Sequence, residues 1–560
     1  MPQDNRDKKK NYLSLGAVTL LGLILRIYYL WEISGYPDFY MPSAGLDAAM
    51  YHNLAKQVAA GNLLLGMDVY FFSPLYSYFL GGLYFLFGDS LWVARMANVL
   101  LGTATIALVY FTTYRFFLST AIALTAALGA ALYGPFLIHD TSGLKVSFNL
   151  FLSSPTLLLL ADIERVKRNY FFLLPGIILG LVFSIGGQII LFITGVCAWL
   201  LLNNLSQFKW HSLDRFSRIF FFASGFVIAV APFAARNYLV ANDTVLTSSV
   251  SGIHFYIGNH EGASGRYSGI KGVRGTPAGH FYDARTVAEQ ETGKTLSASQ
   301  VSSYWKSKAR DFIRKDPGAF IRLLWKKTVF LLNAYEIPNN LNYQYLAQRS
   351  SFLSFFPGYG LLLPLGLCGM FLAVRDYRRL FLLYLFFITN AIAIVLAFVT
   401  GRYRLPLTLA LLPFAGFFII NMVAWIRNRR LSLLITGIVL FVLFVSIAQE
   451  PSVKKRYLNG DMKKTESRMK IMEREKALLD EMASKSAASD DERSRLLTEL
   501  AEVRFRQMEY ESAIVIAHQS LSLNLSQPSL WHRLSYMYNY LGKEEQAQEA
   551  RKKAEMYTVK

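Results

Sequence analysis

Apolar stretches of bilayer length recur along this chain, and no other feature of the sequence constrains its fold as much. They lie near 12–33, 92–113, 119–138, 143–162, 170–186, 187–203, 218–235, 356–374, 380–399, 405–425 and 431–448, eleven in all. About 20 apolar residues cross a bilayer as a helix, because within the hydrocarbon every backbone N–H and C=O needs a partner inside the segment. The expected fold is a polytopic α-helical membrane protein with about 11 transmembrane helices, outer-face loop helices and a C-terminal α-helical repeat domain. Hydrophobic residues make up 53% of the chain and charged residues only 17%, which excludes an ordinary soluble composition.

The turns between the stretches give an orientation. With the N-terminus inside, every expected inside segment is basic. These segments hold Arg6 to Lys10, Arg115, then Arg165, Lys167 and Arg168, then Lys209, Arg215 and Arg218, then Arg375, Arg378 and Arg379, and last Arg427, Arg429 and Arg430. The first stretch has no small-residue cleavage site after it and reads as a retained span. An odd count then puts the C-terminal region outside. The apolar run "FFSPLYSYFLGGLYFLFG" (71–88) would reverse the basic turns if it crossed, so it is expected to lie in the outer interface. The net charge of +20 suits anionic membrane lipids as partners, with no nucleic acid expected. Both cysteines, Cys197 and Cys368, fall in expected spans, so the outer parts hold no disulfide and no thiolate metal cluster.

Two domains are expected. Residues 1–449 form the membrane domain, with outer loops 34–91 and 236–355, and 450–560 form a helical domain on the outer face. The tail carries a period of 34 residues. Leu497, Leu500, Ala501, Ala513 and Ser520 recur as Trp531, Leu534, Ser535, Ala547 and Ala554. This resembles tetratricopeptide repeats, stacked helical hairpins whose concave face takes a peptide or protein partner. The stretch 456–483 is expected to be a degenerate first unit.

Charges that break the orientation pattern mark the candidate chemistry. Arg236 and Asn237 in "APFAARNYLV" and Arg402 and Arg404 in "TGRYRLPLTL" stand at outer span ends. Lipid-phosphate snorkelling explains each alone. The same face holds Asp38, Asp47, Asp68, Asp89 and Asp140, and the loop "SSVSGIHFYIGNHEGASGRY" (248–267) adds His254, Asn259 and His260. Asp47 opens "LDAAMYHNLAKQVAAGN", an amphipathic helix pattern, and reads either as a helix cap or as a general base. An acid, outward arginines and a polar loop at one water–membrane boundary suit attack on a lipid-linked phosphate ester. The base would deprotonate an acceptor and the arginines would neutralise the departing phosphate.

The order of "LDAAMYHNLAKQVAAGN", "SPLYSYFLGGLYFLFGDSLWVARMANVLLGTATIALVYFTTYRFF", "APFAARNYLV", "SGIHFYIGNHEGASGRY" and "GRYRLPLTLALLPFAG" resembles the C-type glycosyltransferases over about residues 10–430. Within these it is most similar to the bacterial branch of the dolichyl-phosphate-mannose protein mannosyltransferases and aminoarabinose transferases. The resemblance implies a multi-pass bacterial inner-membrane enzyme with a cytoplasmic N-terminus and a periplasmic C-terminal domain. It implies inverting transfer of a sugar from a polyprenyl-phosphate-linked donor to a protein, lipid or glycan acceptor. By the same resemblance Asp47 would be the general base and Asp140 a helper or acceptor contact. Arg236, His254, Arg402, Tyr403 and Arg404 would bind the donor phosphate, with Asn259 and His260 in the same loop as His254. No cofactor and no obligatory metal is expected. Two other readings stay open: a transporter of lipid-linked sugars, and a membrane scaffold acting through its repeats.

Overall fold

Lipid offers a backbone no hydrogen-bond partner, and among the described residues each of the eleven stretches is mainly helical. The computed structural model describes residues 5–40, 45–161, 168–202, 212–485 and 489–558. Among these there is no β-strand, only an isolated bridge between Ile270 and Val273. Three of the expected inside cations, Arg165, Lys167 and Lys209, lie outside the described residues.

Helical is not the same as long. Among the described residues six segments are long and apolar enough to cross a membrane: Lys9–Ile33, Leu91–Phe117, Phe216–Ala241, Ser351–Leu396, Gly401–Arg427 and Leu431–Ser484. The pair Thr120–Leu132 and Gly134–Asp140 makes a seventh if its 58° bend falls within one crossing. Val146–Ala161, Asn169–Ile185 and Gly187–Leu202 are apolar but shorter. At about 1.5 Å per residue they fall short of a hydrocarbon core about 30 Å thick. The count by length is six or seven, against the eleven expected.

Ser351–Leu396 folds back on itself. Tyr384 Oη donates to the Met370 carbonyl at 2.5 Å, whereas fourteen residues of straight helix would separate them by about 21 Å. The reversal is the 3-10 turn Ala373–Asp376, between the helices Tyr359–Leu372 and Tyr377–Leu396. It falls at the basic sequence "RDYRR", where the sequence ended one stretch and began the next. The run 71–88 forms the helix Pro74–Phe87, 14 residues, with Phe85, Leu86 and Phe87 exposed. It too is short of a crossing.

By proximity along and across the chain the described residues fall into two compact units. The first comprises 1–33, 51–268 and 295–461 and contains the apolar helices. Its helices approach closely where glycine faces a carbonyl. A methyl on Gly176 would stand 2.1 Å from the Phe222 oxygen, and one on Gly225 would stand 2.2 Å from that of Leu173. Small residues thus let Leu173–Ile185 and Ser212–Ala241 pack backbone to backbone.

Two ion pairs are sealed inside this unit. Arg26 Nε meets Asp140 Oδ2 at 2.8 Å, with both side chains almost fully buried. Ser147 Oγ donates to Asp140 Oδ1 at 2.6 Å, and Arg26 Nη1 donates to the Gly22 carbonyl at 3.0 Å. Gly102 leaves the room, since a methyl there would stand 2.1 Å from Asp140 Oδ2. The second pair joins Arg404 and Glu336 at 2.6 Å.

The second unit comprises 34–50, 269–294 and 462–560. Its tail holds two helical hairpins. Asp490–Arg506 pairs with Tyr510–Leu523, and Pro528–Tyr540 with Glu544–Thr558, so the second helices start 34 residues apart. The residues of the 34-residue pattern form its interior. All are buried except Ser535, which is half-buried. The stretch 456–483 makes no hairpin of its own. It is part of one 34-residue helix, Pro451–Ser484. Leu478 near its end packs with Leu496, Leu500 and Val503.

Removing one partner of a buried pair strands the other charge. Arg26→Met is expected to cost about 3–5 kcal/mol, read as a lower unfolding temperature in detergent. Arg26→Met with Asp140→Leu should recover most of that loss.

Candidate functional site

Arg402 and Arg404 lie in the first turn of Gly401–Arg427. Residues two apart on a helix point about 200° apart, and the two arginines have opposite surroundings. Arg404 is buried. Its Nη1 donates to the Asn333 carbonyl at 2.6 Å, and its Nη2 to the Tyr335 carbonyl at 2.9 Å and to Glu336. Its guanidinium also lies over the Tyr359 ring, 4.1 Å from the centroid. Arg404 thereby fixes residues 330–336 against the start of this span. Arg402 is half-buried, stacks over Tyr403 at 5.2 Å, and lines a cleft.

That cleft is lined by Pro135, Ile138, His139, Glu336, Ile337, Asn339, Asn340, Leu341, Tyr343, Gly401 and Arg402. Among the described residues, His139 Nδ1 and Glu336 Oε1 at its wall are buried with no hydrogen-bond partner. A buried polar atom left unpaired costs about 1–3 kcal/mol, so such atoms at a cleft wall are groups a polar ligand can satisfy. The cleft joins a cation for a phosphate to a carboxylate, an imidazole and two amides that can bind hydroxyls.

The structure sorts the residues singled out in the sequence. His254 and Tyr403 gather around one ring, Phe398, with centroids at 6.1 and 5.4 Å. Through Tyr403 they adjoin Arg402. Asn259 is buried and accepts from Lys327 Nζ at 2.8 Å, while its amide donates to the Phe255 and Leu396 carbonyls. His260 Nδ1 accepts from the Gly262 amide, and its ring lies against Tyr256.

Arg236 is separate from this group. It donates to the carbonyls of Leu64, Gly66 and Asp68 and lies over Tyr70 at 4.2 Å, so it pins the turn 64–70. Asp140 has both oxygens occupied by Arg26 and Ser147, and it is next in sequence to His139 of the cleft. Asp47 begins the helix Asp47–Ala59 and belongs to the second unit, where its charge acts on His280.

Sequence reasoning missed Glu336 and His139. His139 was visible in "LIHD" beside a carboxylate already chosen. Glu336 stood in "NAYEIPNN" without a periodic pattern, and its partner is 68 residues away. Lys145, one of the polar groups outside the cleft, donates to Ser73 Oγ at 2.9 Å and to the Ile185 carbonyl. Among the described residues no three His, Cys, Asp or Glu side chains are grouped to hold a metal ion.

Comparison with known proteins adds the following. Residues 72–238 match the family model described as dolichyl-phosphate-mannose-protein mannosyltransferase. No curated protein matches the chain. Among solved structures, the chain is similar to the Archaeoglobus fulgidus oligosaccharyltransferase. For its apo form the identity is 14% and the TM-score 0.46, over 80% of this chain and 56% of that one. For its complex with zinc and sulfate the values are 16% and 0.40, over 78% and 53%. For the form tethered to an acceptor peptide they are 15% and 0.39, over 79% and 54%. The chain thus spans just over half the length of the solved structures it matches.

Lys327, the buried partner of Asn259, allows a test of that contact. It is fully buried on Pro317–Leu332, outside the candidate spans, and burial lowers its pKa to about 7. The unfolded chain keeps an ordinary lysine near 10.4. Between these values the unfolded state holds more protons, so Lys327 makes stability rise with pH from about 7 upward. Unfolding midpoints taken from pH 7 to 9 should rise more steeply in the wild type than in Lys327→Met. Parallel curves would contradict the burial.

Proposed function

We propose that the chain is a membrane glycosyltransferase. It moves a sugar from a polyprenyl-phosphate-linked donor to an acceptor hydroxyl or amine, with inversion at the anomeric carbon. The observation that carries this reading is the match of residues 72–238 to the mannosyltransferase family model. The cleft around Arg402 supports it independently, because it offers a phosphate ligand beside groups suited to a polyhydroxyl ligand.

In this reading Arg402, stacked on Tyr403, receives the donor phosphate. Its planar fork offers two parallel N–H donors to phosphate oxygens. His254 supports that arrangement through Phe398 and Tyr403. Glu336 Oε1 and His139 Nδ1 take sugar hydroxyls and gain the partners they lack. Arg404 and Arg236 position their loops and do not reach the ligand. Asp140 holds the turn that presents His139.

Asp47 is the general base. It takes the proton from the acceptor as the acceptor oxygen or nitrogen attacks the anomeric carbon. The bond from that carbon to the phosphate oxygen breaks, and polyprenyl phosphate leaves with the bonding electron pair. Charge grows on the departing phosphate, so a guanidinium placed there stabilises the transition state more than the bound donor. Attack and departure on opposite faces give inversion. The reaction takes place on the outer face of the membrane, where the basic-inside pattern of the turns puts the polar loops.

Asp47→Asn is expected to lower kcat by about 10²–10⁴ while insertion and unfolding temperature stay unchanged. Arg402→Ala is expected to raise the donor KM by at least about tenfold. An Asp47→Asn protein with wild-type turnover would remove Asp47 from the reaction.

A further inference from the structure

The reading of Asp47 as the base leaves the C-terminal hairpins without a task. The composition of the second unit suggests one. The segment that carries Asp47, residues 34–50, packs in the same compact unit as 269–294 and the tail. A methyl on Gly45 would stand 3.2 Å from the Gln507 carbonyl and 3.4 Å from the Thr276 side chain. Two residues before the acid, the chain therefore lies against the turn of the first hairpin and against the cap of Pro277–Thr292.

His280 is buried one turn into Pro277–Thr292, and the carboxylates that act on it are Asp47 and Asp283. Asp283 is taken by Arg274. Nε and Nη2 of Arg274 meet its two oxygens at 2.8 Å each, and the Arg274 backbone amide adds a third bond at 2.9 Å.

Arg274 reaches on to the tail. Its Nη1 and Nη2 meet the Glu511 oxygens at 2.9 and 2.8 Å, and Nη1 also donates to the Met508 carbonyl at 3.0 Å. The rings of Tyr510 and Tyr540 lie 4.9 and 5.7 Å from it. All five donors of the guanidinium are used, and its side chain is 1% exposed. One arginine thus ties the helix that faces Asp47 to both hairpins.

We infer that the C-terminal hairpins are a positioning element for Asp47, with Arg274, Glu511 and His280 as the positioning residues. The tail sets the direction of the carboxylate by fixing the chain two residues before it, at Gly45, between Gln507 and Thr276, and by holding the helix of His280, on which the Asp47 charge acts. Burial lowers the His280 pKa to about 4, so the imidazole is neutral at pH 7 and can donate one N–H to a carboxylate. A donor facing the ionised form keeps an acid's pKa low. Loosening that helix would let the carboxylate's direction wander, and misplacement of about 1 Å can cost up to 10²-fold in rate.

The test uses the full chain in detergent, with a polyprenyl-phosphate sugar as substrate. Glu511 is partly exposed, so Glu511→Ala should leave the fold intact, which its unfolding temperature will verify. The expected result is a fall in kcat of about tenfold with donor KM changed by less than about twofold. Arg274→Lys should show the same effects in milder form, and Glu511→Asp should restore most of the activity. Arg551→Ala, an exposed change elsewhere in the hairpins, should be silent. Folded Glu511→Ala and Arg274→Lys proteins with wild-type kcat would overturn the proposal. A change in KM alone would overturn it too, since it would make the tail a substrate-binding element. Asp47→Asn measured alongside separates the two readings. If it is inactive while Glu511→Ala is normal, the base stands and the positioning role falls. If it is active, the base assignment itself falls.

Discussion

A guanidinium can be sealed in an apolar bundle only if its charge and its N–H groups are matched, and the architecture around the cleft follows from one such match. Arg404 and Glu336 meet at 2.6 Å, with the Asn333 and Tyr335 carbonyls taking further donors. This cluster fixes the irregular chain after Pro317–Leu332 to the start of Gly401–Arg427. From there residues 336–343 run on to form the cleft wall. Glu336 keeps one oxygen on Arg404 and leaves the other unpaired at the wall. Arg402, two residues earlier on the same helix, faces the cleft. One buried pair thus builds the wall and orients the group that the proposed reaction uses.

The sequence made the helices legible because hydrocarbon length imposes a simple period-free signal, and among the described residues every apolar stretch is mainly helical. It was weaker on lengths. The stretches 170–186 and 187–203 match the helices Asn169–Ile185 and Gly187–Leu202 almost residue for residue, but apolar content alone does not tell a helix that crosses from one that falls short. The tail's 34-residue pattern pointed to its interior, since small and apolar positions recur where hairpins stack. The limit there was 456–483, where polar residues outnumber that pattern and the chain continues as a single helix.

The candidate site was legible in part. Arg402 and Arg404 form one motif, and helical geometry alone separates their fates. Glu336 was not legible, because a buried pair between residues 68 apart leaves no local trace. Nor was the setting of Asp47. Its sequence context offers a helix start, while Thr276 and Gln507, which flank Gly45 two residues before it, and His280, on which its charge acts, come from distant segments. The buried Arg26–Asp140 pair shows the same limit, since an acid at an apparent outer turn proves to be held inside. Charged residues near membranes announce that they need a partner, but the partner is set by tertiary packing.

The central claim is cleavage of the bond between a sugar and a polyprenyl phosphate. It is tested most directly by incubating the purified protein in vesicles with a panel of radiolabelled polyprenyl-phosphate sugars and an extract of envelope acceptors. The account predicts release of polyprenyl phosphate from at least one donor, with the label appearing on an acceptor in the inverted anomeric configuration. Intact labelled donor moved across the vesicle membrane, with no polyprenyl phosphate formed, would contradict it.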